Sequence, residues 1–448
     1  MEQPWTEPVP ESGREAVAVV RALQDAGHRA YLVGGAVRDL LLGRTPGDWD
    51  VATDARPDRL AALFPGARLV GASFGVVLVP TADGWVETAT FRHDGVYGDG
   101  RRPDQVTYAD DPAADAARRD FTVNAVYLDP VAGRLLDPTG GVADAGARLL
   151  RCVGRAEDRF AEDGLRLLRA ARFAAELGFR VDDATRAGMA GAAPMADRVA
   201  PERVGDEMLR LLQGPLPSAG LELLRGAGVL ERLLPEVTAL HGLEQSPDHH
   251  PEGCVWTHTL KLLDLAERPS PRLAWAALLH DVGKARTQRS EDGRIRYPGH
   301  APVGRRMAGE ILERLRRPST EIRDAAALVD QHTRFLDAAK MRPATLKRFL
   351  AQPFIDDLLE LHRLDRLAGS GDLSAWDLCR AALDGWGPAE LNPEPLLGGR
   401  DLIRLGYPRG PLLGVILEEL QTAQLDGELR NREQALAWLS AHHPRGDG

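Results

Sequence analysis

The hydrophobic pattern of this 448-residue chain changes near residue 153, and this change constrains the fold more than any other feature. Between residues 30 and 153, short β-type runs such as AYLVG, WDVAT and FGVVLVP are separated by Gly, Pro and Asp turns. From residue 156 onward nearly every segment has helical periodicity. The clearest amphipathic stretches lie near residues 156–177, 200–213, 256–267, 300–316, 321–333 and 410–424. The pattern predicts an α+β protein in which a head with a mixed β-sheet precedes an all-α region.

The composition is that of a globular chain with substantial cores. Hydrophobic residues make up 44% of the sequence, and the length suffices for about two to four domains. The net charge of −10 argues against broad electrostatic binding of nucleic acid, so any RNA contact should be local. Arginine-rich stretches at residues 148–172, 203–232 and 340–348 are candidates for such contacts, although charged helix faces are more often only solvated surface.

Two absences bound the cellular setting. The segment MEQPWTEPVP lacks the basic and apolar regions of a secretory signal, and no apolar run approaches the roughly 18 residues of a membrane span. We therefore expect a soluble cytoplasmic protein without a membrane partner. Cys152, Cys254 and Cys379 lie far apart without CxxC spacing, so neither a disulfide framework nor a thiolate zinc site is expected.

Two acidic residues, Asp48 and Asp50, stand in the stretch YLVGGAVRDLLLGRTPGDWDVAT at residues 31–53. On a strand, residues i and i+2 point to the same face, about 6 to 7 Å apart. Converging carboxylates suit a hard cation, and Mg²⁺ is typically held by one or two carboxylates together with substrate phosphates. The pair therefore indicates Mg²⁺-dependent nucleotidyl transfer.

The turn before the acid pair supports this interpretation. Gly34 and Gly35 allow backbone amides to approach phosphates closely. Arg38 follows one turn into the predicted helix, where it can reach an anion at the helix N-terminus. Asp39 is open to a second interpretation, as a helix charge without function.

The segment AEDGLRLLRAARFAAELGF, at residues 161–179, is predicted to form one helix with a regular polar row. The row recurs at every third position and consists of Asp163, Arg166, Arg169 and Arg172. Neighbouring members can meet on the helix surface, which places one acceptor beside three donors. A solvated charged face is the alternative. Gly164 departs from the pattern, because a helix former is expected there.

Five motifs together resemble the class II tRNA nucleotidyltransferases, the CCA-adding enzyme family. They are GGAVRDLLLGRTPGDWD, RRDFTVNA, DPTGG, EDGLRLLRAARF and APERVGDEMLRLL, in order between residues 29 and 235. The resemblance implies a polymerase-β-like nucleotidyltransferase head, or palm, followed by a helical neck, body and tail.

The resemblance also implies roles for individual residues. Gly35 and Arg38 would contact the nucleoside triphosphate, and Asp48 and Asp50 would hold the catalytic Mg²⁺. Arg119 would contact the incoming nucleotide. The remaining nucleotide-binding residues would be Asp163, Arg166, Arg169 and Arg172.

One pair in this row offers a way to select bases without a template. Cytosine and adenine both present an amino donor beside a ring-nitrogen acceptor, whereas uracil and guanine present the reverse order. Asp163 can accept from the amino group while Arg166 donates to the ring nitrogen. With the resemblance, this predicts CTP and ATP as substrates and the tRNA 3′ end as partner.

Two further segments of the head carry expectations. Glu87, in GWVETATF, is expected to face outward rather than to act as a third carboxylate. The segment FRHDGVYGDGRRPDQV, at residues 91–106, is predicted to be a mobile loop from its Gly and Asp content. In the family that the chain resembles, such a loop is linked to the switch from C to A addition, which argues against an enzyme that adds only C.

A second set of metal-type ligands lies in the helical region: His258, His280, Asp281, His300, His332 and Asp365. His280 and Asp281 end the apolar segment LAWAALLHDVGK, with Lys284 one turn further on. Mixed nitrogen and oxygen ligands suit a divalent ion such as Ni²⁺, Mn²⁺ or Mg²⁺, and the additional histidines suit a second ion.

This pattern resembles the HD superfamily of metal-dependent phosphohydrolases over roughly residues 256–369. The resemblance implies hydrolysis of terminal phosphates, including 2′,3′-cyclic phosphates, which would leave a free hydroxyl for the head to extend. The two resemblances predict four domains: a nucleotidyltransferase head at 1–153, a helical neck and body at 154–245, an HD domain at 246–370 and a helical tail at 371–448.

Three alternatives stay open. The first is an A-adding enzyme that completes tRNA ending in CC. The second is a bacterial poly(A) polymerase, which shares the head, although the acidic net charge speaks against it. The third is an HD hydrolase whose head only binds RNA. The Asp48 and Asp50 pair speaks against that, because binding alone needs no paired carboxylates.

Overall fold

The computed structural model describes residues 2–70, 75–94, 106–245, 253–291 and 294–444. The chain divides into two compact units. Unit 1 comprises Met1–Ala239 with Arg314–Arg317, and unit 2 comprises Leu240–Glu313 with Pro318–Gly448. The finer division into four domains stays a prediction.

Unit 1 is built on an eight-stranded sheet. In chain order the strands of this unit are β1 (Glu2–Pro4), β2 (Ala30–Val33), β3 (Asp50–Thr53), β4 (Arg68–Leu69), β5 (Val76–Thr81), β6 (Gly84–Thr90), β7 (Arg92–Asp94), β8 (Val106–Tyr108), β9 (Tyr127–Asp129), β10 (Arg134–Leu136), β11 (Leu149–Leu150) and β12 (Arg180–Val181). The spatial order of the sheet is β1-β10-β9-β2-β3-β6-β5-β4. The β3–β6 pair is parallel and the other described neighbours are antiparallel, so the sheet is mixed, as predicted.

The helices of unit 1 cover the sheet and then continue into a helical region. They are α1 (Arg14–Asp25), α2 (Gly35–Leu41), α3 (Pro57–Leu63), α4 (Pro112–Ala117), α5 (Gly141–Gly146), α6 (Ala156–Glu162), α7 (Leu165–Leu177), α8 (Asp183–Gly191), α9 (Pro201–Leu212), α10 (Pro217–Gly226), α11 (Val229–Leu233) and α12 (Pro235–Thr238). Short 3₁₀ helices lie at Glu11–Gly13, Thr122–Asn124 and Ala193–Arg198.

Alternate residues of a strand point to opposite faces of the sheet, and at the central strands each face of the head sheet packs on a core of its own. Leu32 and Val51 join one core with residues of α1. Their chain neighbours Val33 and Ala52 join a second core on the other face, with Tyr127. Asp50 shares the face of Ala52 by the same alternation, so it stands at the edge of this second core.

Unit 2 is helical apart from the hairpin of β13 (Arg289–Glu291) and β14 (Arg294–Arg296) in its described part. Its helices are α13 (Val255–Leu265), α14 (Pro271–Leu279), α15 (Lys284–Thr287), α16 (His300–Arg314), α17 (Ser319–Gln331), the 3₁₀ helix His332–Lys340, α18 (Pro343–Leu350), α19 (Ile355–Ala368), α20 (Ser374–Gly385), α21 (Pro388–Leu391), α22 (Gly399–Arg404), α23 (Pro411–Leu425) and α24 (Arg432–His442). Among the described residues, none of the helices combines the length and apolarity needed to cross a membrane.

The predicted helix at residues 161–179 is broken, which corrects the sequence-based expectation. Helix α6 ends at Glu162, α7 begins at Leu165, and Asp163 between them has an extended backbone. Gly164 explains the break: a Cβ at this position would collide with the carbonyl group of Met195, in the 3₁₀ helix Ala193–Arg198. The glycine is therefore required by a close approach of two backbones, and local helix propensity does not decide the conformation.

Candidate nucleotide and metal sites

The acid pair does not lie on one strand as expected. Asp50 is the first residue of β3, whereas exposed Asp48 precedes the strand. The strand-based spacing of the two carboxylates was therefore wrong for Asp48. The two residues still interact electrostatically, since Asp48 raises the pKa of Asp50.

Glu87 was expected to face away from the site, and the structure places it beside Asp50 instead. The parallel register of β3 and β6 aligns Asp50 directly with Glu87. Both residues line a cavity of about 220 Å³ whose walls also include Arg92, Arg118 and Arg119. Sequence reasoning missed this pairing because Asp50 and Glu87 are 37 residues apart in the chain and only the sheet register joins them.

The carboxylates of this cavity carry more negative charge than burial favours. Burial, together with the charges of Glu87 and Asp48, raises the pKa of the Asp50 carboxyl to about 6, although the charge of Arg119 opposes them. A cation between the carboxylates would relieve both the desolvation and the repulsion. The donor set therefore fits a hard divalent ion.

Gly34 follows β2 and lies beside the Asp50 carboxylate. Its φ of +77° favours glycine, and a Cβ there would stand 3.3 Å from Asp50 Oδ2 and 3.7 Å from Arg119 Nη1. Gly35 begins α2 directly afterwards. The absence of a side chain at Gly34 keeps this space beside the carboxylate free, and contact of the Gly-Gly pair with a nucleotide stays a prediction.

Arg38 is buried and already engaged by protein groups. Its Nη1 donates to Asn124 Oδ1 at 3.0 Å, and its Nε and Nη2 donate to Asp39 Oδ1 at 2.9 and 2.8 Å. Asp39 is thus the partner of Arg38 rather than a free helix charge. Contact of Arg38 with a triphosphate stays a prediction.

Asp115 holds two of the three arginines of the cavity, Arg118 and Arg119, in place. Arg118 donates to Asp115 Oδ1 at 2.6 and 2.8 Å, and Arg119 donates to Oδ2 at 3.0 and 3.2 Å. The hydroxyl of Tyr127 also donates to Oδ2, at 2.7 Å. Burial raises the pKa of Asp115, but Arg119 and Arg118 outweigh burial and hold it at about 2. The carboxylate is therefore charged and fixes both guanidinium groups.

The break before α7 changes how the polar row is presented. Asp163 accepts from Arg203 of α9 at 2.9 Å and from the amide of Leu165 at 3.0 Å. Arg166 donates to the carbonyl oxygens of Arg118 and Arg159 at 2.9 and 3.0 Å. Asp163 therefore lies in the break and Arg166 in the first turn of α7, and each is oriented by another segment.

The last two arginines of the row are also paired with carboxylates. Arg169 donates to Asp120 Oδ2 at 2.8 Å, and Arg172 donates to Glu207 Oε2 at 2.6 Å. Burial raises the pKa of Asp120, but the charge of Arg169 outweighs it and brings it to about 2. The row is not the solvated face of the alternative reading, since Arg166 and Arg172 are each 9% exposed.

Sequence reasoning did not assign Arg203 and Glu207, which orient this row. Both stand in the quoted motif APERVGDEMLRLL, four residues apart and hence on one face of α9. That spacing was a usable signal, but their partners Asp163 and Arg172 belong to another segment. The pairing could be read only from the packed helices.

The structure brings together all six predicted ligands of the HD region. They form two triads whose ligand atoms lie within 4.8 Å of one another: His258, His280 and Asp365, and Asp281, His300 and His332. In the described part of the chain, groups of three or more such ligands were found only here. All these side chains are buried except that of His300, which is partly buried.

Backbone carbonyls fix the protonation of three of these histidines. Nδ1 of His280, His300 and His332 donates to the carbonyl oxygens of Ala277, Tyr297 and Val329 at 3.0, 3.0 and 2.7 Å. In the neutral rings Nε2 is then an acceptor, as in metal-binding histidines. The Nε2 atoms of His300 and His332 face each other at 3.3 Å. Two facing acceptors need a cation or a proton, so this donor set fits a divalent metal.

The acids of the cluster are charged. Burial raises the pKa of Asp281, but Lys284 and His280 outweigh it, so the pKa lies well below its ordinary value. Nζ of Lys284 lies 2.7 Å from Asp281 Oδ2. His258 Nε2 donates to Asp365 Oδ1 at 3.0 Å, and this bond helps to keep the pKa of Asp365 low.

Most of the predicted loop at residues 91–106 lies outside the described residues. The structure describes its two ends, which belong to β7 and β8 and pair antiparallel. The expectation about the switch from C to A addition therefore stays a prediction.

Three family models match the chain in order. The Poly A polymerase head domain matches residues 30–151, the probable RNA and SrmB-binding site of polymerase A matches residues 178–240, and the HD domain matches residues 255–370. These matches define a polymerase-type nucleotidyltransferase joined to an HD domain. Both parts imply the use of divalent metal.

Similar proteins narrow the class. A Multifunctional CCA protein of Halorhodospira halophila is 42% identical, over 79% of this chain and 88% of its own length. A CCA-adding enzyme of Geobacillus thermodenitrificans is 35% identical, over 95% and 96%. An A-adding tRNA nucleotidyltransferase of Deinococcus radiodurans is 36% identical, over 92% and 94%. The crystal structure of the Bacillus stearothermophilus CCA-adding enzyme in complex with CTP matches with a TM-score of 0.74 and 29% identity, over 96% and 98%.

The chain therefore belongs to the CCA-adding enzyme family of tRNA nucleotidyltransferases. The resemblance read from its motifs is confirmed, and so are the α+β fold and the nucleotidyltransferase head.

Proposed function

We propose that this chain adds C, C and A in turn to tRNA 3′ ends, from CTP and ATP and without a nucleic-acid template. The observation that carries this proposal is the alignment of Asp50 with Glu87 in a cavity that also holds Arg118 and Arg119. Paired carboxylates opposite fixed guanidinium groups suit a reaction in which a metal and a triphosphate meet. Membership of the CCA-adding enzyme family supports the choice of substrates.

In the proposed reaction the 3′-hydroxyl oxygen of the tRNA attacks the α-phosphorus of the nucleotide. The new O–P bond forms as the bond to the bridging oxygen breaks, pyrophosphate leaves, and the hydroxyl proton passes to solvent. Asp48, Asp50 and Glu87 would hold Mg²⁺, which when bound neutralises phosphate charge and lowers the pKa of the attacking hydroxyl. Arg119, fixed by Asp115, would bind phosphate oxygens and orient them for in-line attack.

Base choice is proposed to rest on Asp163 and Arg166. A carboxylate oxygen accepts more than one hydrogen bond, so Asp163 can bind a base amino group while Arg203 still holds it in position. Arg166, held by the carbonyl of Arg118, would donate to the ring nitrogen. The same pair of contacts suits both C and A and opposes U and G.

The experiment that tests the proposal supplies tRNA without CCA, tRNA ending in C and tRNA ending in CC with each labelled nucleotide, with and without Mg²⁺. Mg²⁺-dependent completion of all three substrates to CCA is expected. Extension of the CC end alone would replace the proposal with A addition, the activity in the name of the Deinococcus relative. Long A tails would replace it with a poly(A) polymerase.

A second function is favoured by the two triads of histidine and aspartate ligands. We propose that the HD region hydrolyses terminal phosphates on RNA ends, including 2′,3′-cyclic phosphates, with Ni²⁺, Mn²⁺ or Mg²⁺ bound by the six ligands. A water oxygen would bond to phosphorus, one ribose oxygen would leave with a proton, and a phosphate monoester would remain. A further hydrolysis would release inorganic phosphate and give the head a hydroxyl to extend.

This second proposal is tested with 2′,3′-cyclic AMP and a tRNA that ends in a cyclic phosphate, under each of the three metals. Wild-type protein should open the ring and Asp281→Ala protein should not, while both add nucleotides to a hydroxyl end. An Asp281→Ala protein that still removes the phosphate would end the proposal. We also propose, from the sequence, that the protein acts in the cytoplasm.

A further inference from the structure

Buried polar atoms without hydrogen-bond partners are concentrated at the HD cluster. Among the described residues, nine buried side-chain nitrogen or oxygen atoms have no partner. Five of them belong to Gln245, His280, His362 and Arg366, which lie in or beside this cluster. Buried polar groups are rarely left unpaired, and a site that awaits a ligand is one physical reason for the exception. His280 is explained by a metal, but His362 and Arg366 belong to neither triad.

His362 is the most unusual of these side chains. It is 1% exposed, and both of its ring nitrogens lack a partner. The ring stacks on Phe335 at a centroid distance of 4.6 Å, which fixes its plane. It stands one turn before Asp365 on α19 and lines the same cavity as Asp281, His300 and His332. A histidine used only for packing would not need this position beside the metal-type ligands.

Arg366 adds a fixed positive charge to the same wall. Its Nη2 donates to Asp365 Oδ2 at 3.0 Å, while its Nε is buried without a partner. Lys284 also lines this cavity and is held by Asp281 and Gln245. The cavity thus presents two cations and an imidazole beyond the six predicted ligands, which suits an anion rather than a further metal.

The size of the cavity limits the anion. Its volume of about 120 Å³ is the space of roughly four water molecules. A tetrahedral phosphate group fits that space, whereas a nucleoside does not. Arginine and an imidazole N–H are suitable donors for phosphate oxygens.

We propose that His362 and Arg366 bind the phosphate of the HD substrate and contact the oxygens that face away from the metal ligands. This inference rests on the proposed phosphohydrolase function and assigns two recognition residues to it. Arg366 contributes charge and Nε–H, and His362 contributes a ring N–H held in place by Phe335.

The test uses the full chain, loaded with Mn²⁺ or Ni²⁺, and two substitutions. His362→Phe keeps an aromatic ring on Phe335 and removes both nitrogens, and Arg366→Met removes the charge. The matched control is Arg363→Met, on the same helix, because Arg363 pairs with Glu360 at 2.7 Å and does not line the cavity. Four quantities are measured: bound metal by mass spectrometry, KM and kcat for 2′,3′-cyclic AMP, and the Kd of inorganic phosphate by calorimetry.

His362→Phe and Arg366→Met should each raise KM and the phosphate Kd about tenfold or more, since a hydrogen bond to a charged group is lost. Metal content and CTP incorporation by the head should match wild type, and Arg363→Met should change neither constant. Phosphate can also bind elsewhere on the full chain. Only the phosphate binding that is lost in Asp281→Asn protein is assigned to the cavity of the HD region.

Three results separate the inference from the function on which it rests. Loss of metal in His362→Phe would make the residue a ligand or a structural element, and would overturn the inference. Unchanged KM and phosphate Kd in both variants would also overturn it. A wild-type protein that hydrolyses no phosphate ester but binds phosphate through His362 and Arg366 would refute the hydrolase proposal and support the subsite.

Discussion

The nucleotide site of unit 1 and the histidine cluster of unit 2 solve the problem of buried charge in opposite ways. In unit 1, Arg38, Arg169 and Asp163 are each paired with a side chain of opposite charge. In unit 2, the acceptor nitrogens of His300 and His332 face each other across 3.3 Å. The arginines of the first site have charge partners within the protein. The acceptor nitrogens of the second site need a bound cation or a proton.

The two sites should therefore respond differently to ligands. In unit 1 the buried charges are already paired and oriented before a ligand binds. Their ion pairs offset the free energy of desolvation in the folded protein. Unpaired buried groups destabilise a fold by the cost of their lost hydration, so ligand binding to unit 2 should also stabilise the protein. The carboxylates at Asp50 are the exception within unit 1, because burial and repulsion keep the pKa of Asp50 high.

The largest expected effect comes from that exception. Asp50→Asn should lower AMP incorporation into tRNA ending in CC about a thousandfold, since metal binding supplies several kcal/mol of charge stabilisation. Glu87→Gln should cost less, because Glu87 is exposed. Hydrolysis of 2′,3′-cyclic AMP should be unchanged in both. The control is Asp83→Asn, an exposed turn residue between β5 and β6, and Asp50→Asn activity equal to the control would contradict the assigned site.

The next effect concerns the scaffold of unit 1. Gly164→Ala should destabilise the protein by about 3 kcal/mol, because the new methyl group would overlap the Met195 carbonyl. The backbone at Gly164 has φ −58° and ψ −21°, which alanine accepts, so the cost would come from the contact alone. Gly191→Ala is the matched control, since a Cβ there meets nothing within 4 Å. Urea unfolding measures both, and equal midpoints would refute the explanation.

Metal should stabilise unit 2 far more than unit 1. A metal ion that binds only the folded state stabilises that state by about 2.7 kcal/mol when its concentration is a hundred times its Kd. This should hold for Mn²⁺ or Ni²⁺ at the six ligands of unit 2. Hydrogen exchange followed by mass spectrometry should show slower exchange in α13, α14 and α19. Asp281→Asn should abolish the slowing, and Asp50→Asn should retain it. Equal slowing in both units would remove the contrast between the sites.

The ion pairs of unit 1 predict a pH-dependent stability. The pKa of Asp120 is about 2 in the folded protein, below its ordinary 3.8, because Arg169 outweighs burial. Such a group stabilises above the unfolded pKa, and the contribution is lost as the pH falls towards the folded pKa. Asp120→Asn should therefore cost about 2 kcal/mol at pH 7. The difference from wild type should shrink between pH 4 and pH 2. A constant difference would mean that charge is not the cause.

The smallest effect is expected in base choice. Asp163→Ala should lower the preference for CTP over UTP about tenfold, since one hydrogen bond to the base amino group is lost. Binding of tRNA should change less, because the role assigned to Asp163 is contact with the incoming base. Competition between labelled CTP and UTP measures the preference. Unchanged rejection of UTP would rule out this role for Asp163.

The sequence predicted those features that short spacing encodes. The change from strand to helix periodicity gave the α+β fold, and the HD motif with its distant histidines gave six side chains that the structure gathers into two triads. The fold prediction succeeded because hydrophobic periodicity is a property of single elements. The role of the six side chains as metal ligands stays a prediction.

What the sequence did not predict depends on elements distant in the chain. Glu87 was misplaced because the β3–β6 register brings it to Asp50. The sequence analysis expected Asp163 inside a helix and did not predict the break at Gly164. The Met195 backbone that approaches Gly164 follows 31 residues later in the chain, so no local pattern shows it. His362 gave no signal at all, since a histidine on the buried face of a helix is ordinarily a core residue. In each case non-local packing decided the position and local propensity did not.

Gly164 has a consequence for surveys of mutational tolerance. A screen that scored only product formation would find almost every substitution at this position harmful, and would rank Gly164 beside Asp50 as a reaction residue. Its intolerance would have another origin, the shape of the main chain around Met195. Rates of thermal inactivation, measured together with turnover, would separate a structural from a catalytic origin. Variants at Gly164 should be inactivated faster on heating before their turnover rate falls.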